Sequence, residues 1–573
     1  MDYTRLDGVR RLATEQELDV VEAYVAQRIT RRQFINRATV LGLSMGSISA
    51  VIAACGGGTP SASAPASQSA APSGSGAPSG SAVPSGSAKT GGTIRVAAQR
   101  PKNLDPVLMV DLAGYGLAAQ CFEFLCTLNA AATDIAPGLA EKWTPNSDNS
   151  VWTFNLRQGA KWQQDGSPFT ADDVVATMDR LTEAGNSGLK GVIQKGSVVA
   201  KDPNTVEFTL VSPNGNFPYL VSVFNAQTLI TPKDYPTGTT LDAKPNGTGA
   251  WKLDSYDIAS GARFSRNPDW WGGQTPLDST EFTFFDKTAE MVTAYQGGQI
   301  DAIVQFDVLT GQALFTDANF TVVETPTTNH RQIWMHCDKG QFADKKVRQA
   351  LAFTLDRQAL IDQLFKGKAL IANDHVIAPF YPYYSDAVPQ RVRDTAKAKQ
   401  LLSDAGASSI TATLQYGNLN EIPDLAVLVQ SQAAEGGFKI TPAGQDNGQF
   451  YDAQWCVTTT KPPCEGNAEF GIVDYGHRAT PDVFLNSAFK THGVWNASHY
   501  SSPDFDAAFS EFQKAVGVEA QKAACAKIEK IMNDDVPVAL PYFYNYLSGN
   551  SKKFTGVYTC ALGQMFLSSA SEV

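Results

Sequence analysis

Six histidines, eight cysteines and 57 acidic side chains are the groups of this 573-residue chain able to do chemistry. The histidines (His330, His336, His375, His477, His492, His499) are spread along the sequence and no Cys-x2-Cys pair occurs. The spacing therefore predicts no zinc site and no direct ligation of nickel. The body of the chain holds no HExxH, no P-loop and no Gly-x-Ser-x-Gly, so the common hydrolytic and nucleotide motifs are missing. Carboxylate pairs alone are too common to argue from. The chain reads as a non-enzyme without cofactor or metal. Cys456 and Cys464 flank Val-Thr-Thr-Thr-Lys-Pro-Pro, a turn-rich spacer able to close a small loop, and a disulfide is expected there. Cys121 and Cys126, if helical, point to different faces and stay unpaired. Cys525 shares an apolar helical stripe with Ile528 and Met532 and reads as a buried thiol.

One further cysteine has a different setting. Thr30-Arg31-Arg32-Gln33-Phe34-Ile35 places paired arginines before an uncharged apolar run, Ala38 to Ala54, which ends in Val51-Ile52-Ala53-Ala54-Cys55-Gly56. Arginines, a short apolar stretch and small residues before a cut form a signal peptide. The arginine pair favours the twin-arginine route. The small residues before Cys55 resemble a bacterial lipobox, which implies that Cys55 is acylated and becomes residue one. Seven cysteines would then remain, an odd number, so at least one is free. The alternative is an uncleaved anchor with a chance dibasic pair. On either reading the remainder works outside the cytoplasm, in the periplasmic space or on the outer face of the cytoplasmic membrane.

Composition then divides the chain. Residues 1–55 hold seven arginines and six acids, so their removal takes the net charge from −11 to about −12. An acidic exported body lacks the basic face that nucleic-acid binding needs. Residues 56–90 are nearly all Ser, Ala, Pro and Gly, too poor in apolar bulk to offset the entropy of ordering, and read as a disordered tether. Some 35 flexible residues span roughly 30–35 Å on average. About 480 residues follow, with 43% hydrophobic content over the whole chain. That exceeds the roughly 250–300 residues at which single cores stop growing, so two or three domains are expected.

The pattern within the body alternates strands and helices, an α/β protein. Thr93 to Val96, Val151 to Arg157 and Val206 to Leu210 alternate as strands. Thr170 with Asp173 resembles a capping box opening a helix through Val174, Met178 and Leu181. Strands are expected again at Gly261 to Arg266, Glu281 to Phe285 and Ile300 to Gln305. Arg331 to Asp338 alternates Ile333, Met335 and Cys337 against Trp334 and His336. Capped helices open at Asp344, Asp394 and Pro423, with strands Thr411 to Tyr416 and Phe470 to Val473 between and after them. A last helix, Glu519 to Asn533, gives way to an extended aromatic stretch, Val538 to Leu547.

Several of these segments resemble one family in order. They include Pro137-Gly138-Leu139-Ala140-Glu141-Lys142-Trp143 and Phe154-Asn155-Leu156-Arg157-Gln158-Gly159, then Asp165-Gly166-Ser167-Pro168-Phe169-Thr170-Ala171-Asp172-Asp173-Val174. Gly247-Thr248-Gly249-Ala250-Trp251, Arg266-Asn267-Pro268-Asp269-Trp270-Trp271, Val347-Arg348-Gln349-Ala350-Leu351 and Asn496-Ala497-Ser498-His499-Tyr500 follow. Together they are similar to the extracellular solute-binding proteins of family 5, the oligopeptide-, dipeptide- and nickel-binding receptors of ABC importers. The resemblance implies a type II periplasmic-binding-protein fold, two lobes on a two-strand hinge, with a small α/β domain inserted in the first. Lobe I would take 91–129, 225–327 and 541–573, the insert 130–224, and lobe II 328–540. The crossings would fall at Thr325 to Gln332 and at Pro537 to Tyr542. The implied partners are a small solute or peptide, a membrane reached through the lipid anchor, and an ABC permease with its ATPase; the receptor itself would be a monomer.

In peptide-binding relatives an aspartate receives the ligand's ammonium, and Val473-Asp474-Tyr475 with Pro481-Asp482-Val483-Phe484-Leu485 resembles that segment, stretched here by Gly476-His477-Arg478-Ala479-Thr480. Asp474 capping the next turn, or pairing with Arg478, is the structural alternative. Asp424 stands where dipeptide-binding relatives carry a basic residue, which argues against dipeptide specificity. His477 and Arg478 are candidate anion contacts, with a solvated loop as the alternative. Tyr115, Tyr416, Trp455, Tyr475 and Trp495 are the aromatic residues the family would turn toward the cleft, and their faces suit sugars as well as peptides. An oligosaccharide, an opine or a metal chelate therefore remains open as ligand. So do two other classes of function, an exported hydrolase and a surface adhesion or sensing protein.

Overall fold

The structure, a computed structural model, describes Val21, Val25 and residues 89–109, 111–129, 134–183, 188–189, 191–456 and 464–573. The expected signal segment, the lipidated Cys55 and the tether lie outside the described residues.

Alternation in Thr93–Gln99 becomes the centre of a seven-stranded sheet. Its order is Phe320–Thr325, Tyr546–Ser551, Ala302–Phe306, Thr93–Gln99, Ser279–Phe285, Gly261–Arg266 and Trp251–Asp257. The central strand runs parallel to both neighbours. It buries Ile94 and Val96 with Phe264 and Phe282 in one core, and Ala97 with Met291 and Ile303 in another. A covered central strand of this kind is the usual setting for parallel pairing.

A second seven-stranded sheet runs Ala369–Ile371, Tyr542–Tyr544, His330–Met335, Phe470–Tyr475, Ile410–Gly417 and Phe438–Gln445, with Val538–Ala539 also on His330–Met335. The alternation in His330–Met335 predicts one buried face. All six residues are buried, because both faces of this strand are covered. Gly471 is a glycine for a packing reason: a Cβ there would sit 2.2 Å from the indole of Trp334. A separate four-stranded antiparallel sheet, Ala140–Pro145, Val151–Leu156, Thr205–Thr209 and Val198–Asp202, carries helix Ala171–Glu183. At the start of that helix Thr170 N donates to Asp173 Oδ2 (2.8 Å), the backward half of the capping box.

The chain passes between the two large sheets twice. The first passage joins Thr325 to His330 and the second Tyr544 to Tyr546. The return crossing therefore lies at Asn545, later than the expected Pro537 to Tyr542. The reason is packing. Tyr542 and Phe543 are both fully buried in the cores around the second sheet, so the chain stays with that sheet past Pro537 and Pro541. The two passages lie side by side: Tyr544 N donates to Asn329 O (3.0 Å) and Thr327 Oγ1 to Tyr544 O (2.7 Å).

Asp374 anchors the approach to the return crossing. It receives Arg357 Nη2 on both oxygens (2.6 and 2.7 Å), Arg391 Nε (2.7 Å) and the Leu540 amide (3.0 Å), and it is fully buried. Asp374→Ala leaves two buried guanidiniums without their carboxylate and is expected to cost about 3–5 kcal/mol. Urea unfolding measures it; a loss below about 1 kcal/mol contradicts this role.

Candidate ligand-binding cleft

Strand Phe470–Tyr475 pairs antiparallel with His330–Met335 and sets Asp474 opposite Arg331, close to the first crossing. The loop that follows is fixed to that crossing by Thr328. Its amide donates to His477 Nδ1 (3.1 Å), its Oγ1 accepts from the Arg478 amide (2.7 Å), and the Arg478 carbonyl accepts from Tyr381 Oη (2.6 Å). Burial, helped by the neighbouring Arg478 charge, pushes the His477 imidazole down to about 3. A neutral ring accepting from the backbone and lying 5.7 Å from the Phe224 ring is a fixed wedge at the crossing and offers no charge to an anion.

Arg478 is placed differently. Its Nη1 donates to the His477 carbonyl (2.8 Å), and no carboxylate among the described residues pairs with it. Burial lowers its pKa, and the groups that oppose this are the hydroxyls of Tyr115, Tyr381 and Tyr475. The other arginines differ: Arg348 is held by backbone carbonyls alone and Arg180 by hydroxyls and carbonyls, whereas two more meet acidic or phenolic partners. Arg331 meets Glu421 (2.9 Å) and Tyr544 Oη (3.0 Å), and Arg357 meets Asp374. The Arg478 guanidinium is thus half-buried without a carboxylate partner among the described residues.

Asp474 is half-buried and accepts a hydrogen bond from Tyr451 Oη, and among the described residues no ion pair joins it to Arg478. Around it stands an aromatic wall. The Tyr475 ring lies 6.3 Å from Trp455, 6.1 Å from Trp495 and 5.4 Å from His330, and Tyr451 lies 5.4 Å from Trp455. Trp455 Nε1 is buried without a protein acceptor among the described residues. Tyr416 stands apart from this wall and packs in the core beneath its own strand. Asp424 is exposed on the first turn of helix Ile422–Ala434. Cys456 and Cys464 are disulfide-bonded, Cα atoms 4.7 Å apart, just beyond Trp455; Cys121, Cys126, Cys337, Cys525 and Cys560 are free.

The first-sheet side supplies Tyr115 on helix Leu112–Cys121, whose N-cap Asp111 accepts from the Gly114 amide (2.9 Å). Burial pushes the Tyr115 hydroxyl up to about 12, while the nearby Arg478 charge opposes that rise. Sequence reasoning also missed a polar contact between the two sides. Asn216 Nδ2 donates to Asp482 Oδ2 (3.0 Å), and Gln521 Nε2 donates to Asn216 Oδ1 (2.9 Å). All three are buried. Asp482 lies inside the Pro481–Leu485 segment that resembles the family, which was the signal available for it. Asn216 carries no comparable signal.

The family profile described as bacterial extracellular solute-binding proteins, family 5 Middle, matches residues 134–462. The chain belongs to the bacterial extracellular solute-binding proteins of family 5. It is 25% identical to heme-binding protein A of Haemophilus influenzae over 474 residues, 77% of this chain and 85% of that protein. It is 26% identical to the periplasmic murein peptide-binding protein MppA of Escherichia coli K12, over 79% of this chain and 87% of that one. Among solved structures, HbpA2 from Haemophilus parasuis matches with a TM-score of 0.73 at 22% identity, covering 84% of this chain and all of that one. AppA from Bacillus subtilis, solved with a nonapeptide, matches with a TM-score of 0.68 at 19% identity, over 85% of this chain and all of that one. The fold is that of type II periplasmic binding proteins. Among the described residues no helix is long and apolar enough to cross a membrane.

The Asn216 amide is the donor to a carboxylate that burial pushes to a raised pKa. Asn216→Val removes that donor and leaves a buried carboxylate oxygen without its partner. Stability is expected to fall by about 1–3 kcal/mol. Urea unfolding checks this, and an unchanged midpoint contradicts it.

Proposed function

We propose that this chain is the lipid-anchored receptor of an ABC importer, capturing a small solute between its lobes and handing it to a permease with its ATPase. A peptide is the favoured solute. The support is the cleft itself: an unpaired Arg478 and, four residues earlier, an Asp474 held by Tyr451 offer opposite charges that do not neutralise each other. A zwitterion meets both, its ammonium at Asp474 and its carboxylate at Arg478, each a charge-assisted bond. A neutral sugar meets neither. The named ligands of the relatives fit this chemistry, since a murein peptide and a heme both carry carboxylates.

In this reading lobe I takes 91–129, 225–327 and 546–573, the insert 130–224, and lobe II 328–545, with the crossings at 326–329 and at Asn545. Closure by rotation about the two crossings, in a monomer tethered through Cys55 after twin-arginine export, completes the reading. Ligand favours the closed state through the contacts it makes to both lobes.

Thermal shift with a random peptide mixture and its end-blocked versions tests the assignment, because a ligand of the native state raises Tm. Free peptides are expected to stabilise the chain. Arg478→Met should weaken binding of peptides with a free carboxylate about tenfold or more and leave amidated peptides unaffected. Asp474→Ala should do the same for a free as against an acetylated amino end. Affinity for free peptides undiminished in both variants overturns the reading.

A further inference from the structure

Strand His330–Met335 starts beside the crossing and ends on the far side of the second sheet. Five residues separate Arg331, opposite Asp474, from His336, about 17 Å at roughly 3.4 Å per residue. There His336, Asp338 and His499 converge, with their ligand-type atoms all within 4.8 Å of one another. His499 Nδ1 faces Asp338 Oδ2 at 3.0 Å, and His336 Nδ1 stands 3.9 Å from Oδ1 of the same carboxylate. The two imidazoles stack with ring centroids 4.2 Å apart.

One observation points to a cation. His499 Nε2 lies 2.8 Å from the Cys464 carbonyl, which can only accept, so Nε2 carries a proton. Its Nδ1 then faces the Asp338 carboxylate, as a donor when the ring is charged and as a ligand to a shared cation when it is neutral. His336 is only 2% exposed and among the described residues its Nδ1 has no hydrogen-bond partner, although buried polar atoms are ordinarily satisfied. That open nitrogen stands nearest the same carboxylate.

We propose that His336 Nδ1, His499 Nδ1 and the Asp338 carboxylate bind one divalent transition-metal ion of the kind that accepts imidazole with carboxylate, such as zinc, nickel or copper(II). Metal–nitrogen bonds of about 2.0–2.1 Å in a tetrahedral site place ligand atoms about 3.4 Å apart. Reaching this takes a rotation of Asp338, whose side chain is 47% exposed, and a tilt of the two imidazoles out of their present stack. Solvent fills the fourth position. The Cys464 carbonyl is the outer partner that fixes the His499 tautomer. Since Cys464 is bonded to Cys456, the ion ties the end of the strand, the 496–500 loop and the disulfide together. The site is separate from the solute cleft and does not depend on what the cleft binds.

Zinc is the probe. Chelator-stripped full-length protein, dialysed against Zn²⁺, is expected to retain one equivalent and to melt several degrees higher. His499→Ala and Asp338→Asn, both nearer the surface than His336, should each lower zinc affinity at least tenfold while peptide titrations stay as in wild type. Substitution with Co²⁺ should give a visible absorption band that His499→Ala abolishes, which a merely stabilising role for His499 would not produce. Zinc retained equally by the double variant, zinc displaced by cleft ligand, or less than a tenth of an equivalent retained by wild type each overturns the proposal.

Discussion

A guanidinium held between packed surfaces without a carboxylate beside it is the constraint on which this structure turns. Removing an ion from water costs several kcal/mol unless an opposite charge or a full set of acceptors replaces the water. Arg331, Arg357 and Arg391 meet that condition inside the protein, through Glu421 and Asp374. Arg478 meets it only in part, through one carbonyl. In the proposed reading, the anionic end of the ligand supplies the missing counter-charge.

The surroundings of Arg478 follow from that need. Thr328, in the first crossing, fixes the backbone of the loop, so the guanidinium is positioned by the hinge itself. His477 is kept neutral by burial, so it adds no second positive charge beside the first. The hydroxyls of Tyr115, Tyr381 and Tyr475 oppose the lowering of the Arg478 pKa. Asn216 and Asp482 give the two sides a fixed point of contact a few residues away. In the proposed reading, the two adjacent crossings allow one hinge motion.

Much of the fold was legible because it rests on local rules. Asp344 and Asp394 cap their helices by accepting from the amides of Lys346 and Lys397, and the alternating stretch at Val151 is a strand over Val151–Leu156. The return crossing was misplaced because Val538 to Leu547 is apolar and aromatic throughout. Nothing local distinguishes residues paired in one sheet from those paired in the other; only the long-range hydrogen bonds do. His330–Met335 shows the same limit, since alternation cannot report that a second layer covers the outer face. Asp474 and Arg478 were legible as types and positions, but the absence of a partner for Arg478 is a property of the assembled surroundings. The meeting of Asp338 with His499, 161 residues apart, was invisible to spacing for the same reason.

The central claim is that an anion at Arg478 draws the lobes together. Small-angle scattering of wild type and Arg478→Met, each empty and at matched occupancy with a carboxylate-bearing peptide, tests it most directly. The account predicts that the wild-type radius of gyration contracts on saturation and that the variant contracts less or not at all. Equal contraction in both proteins would contradict it.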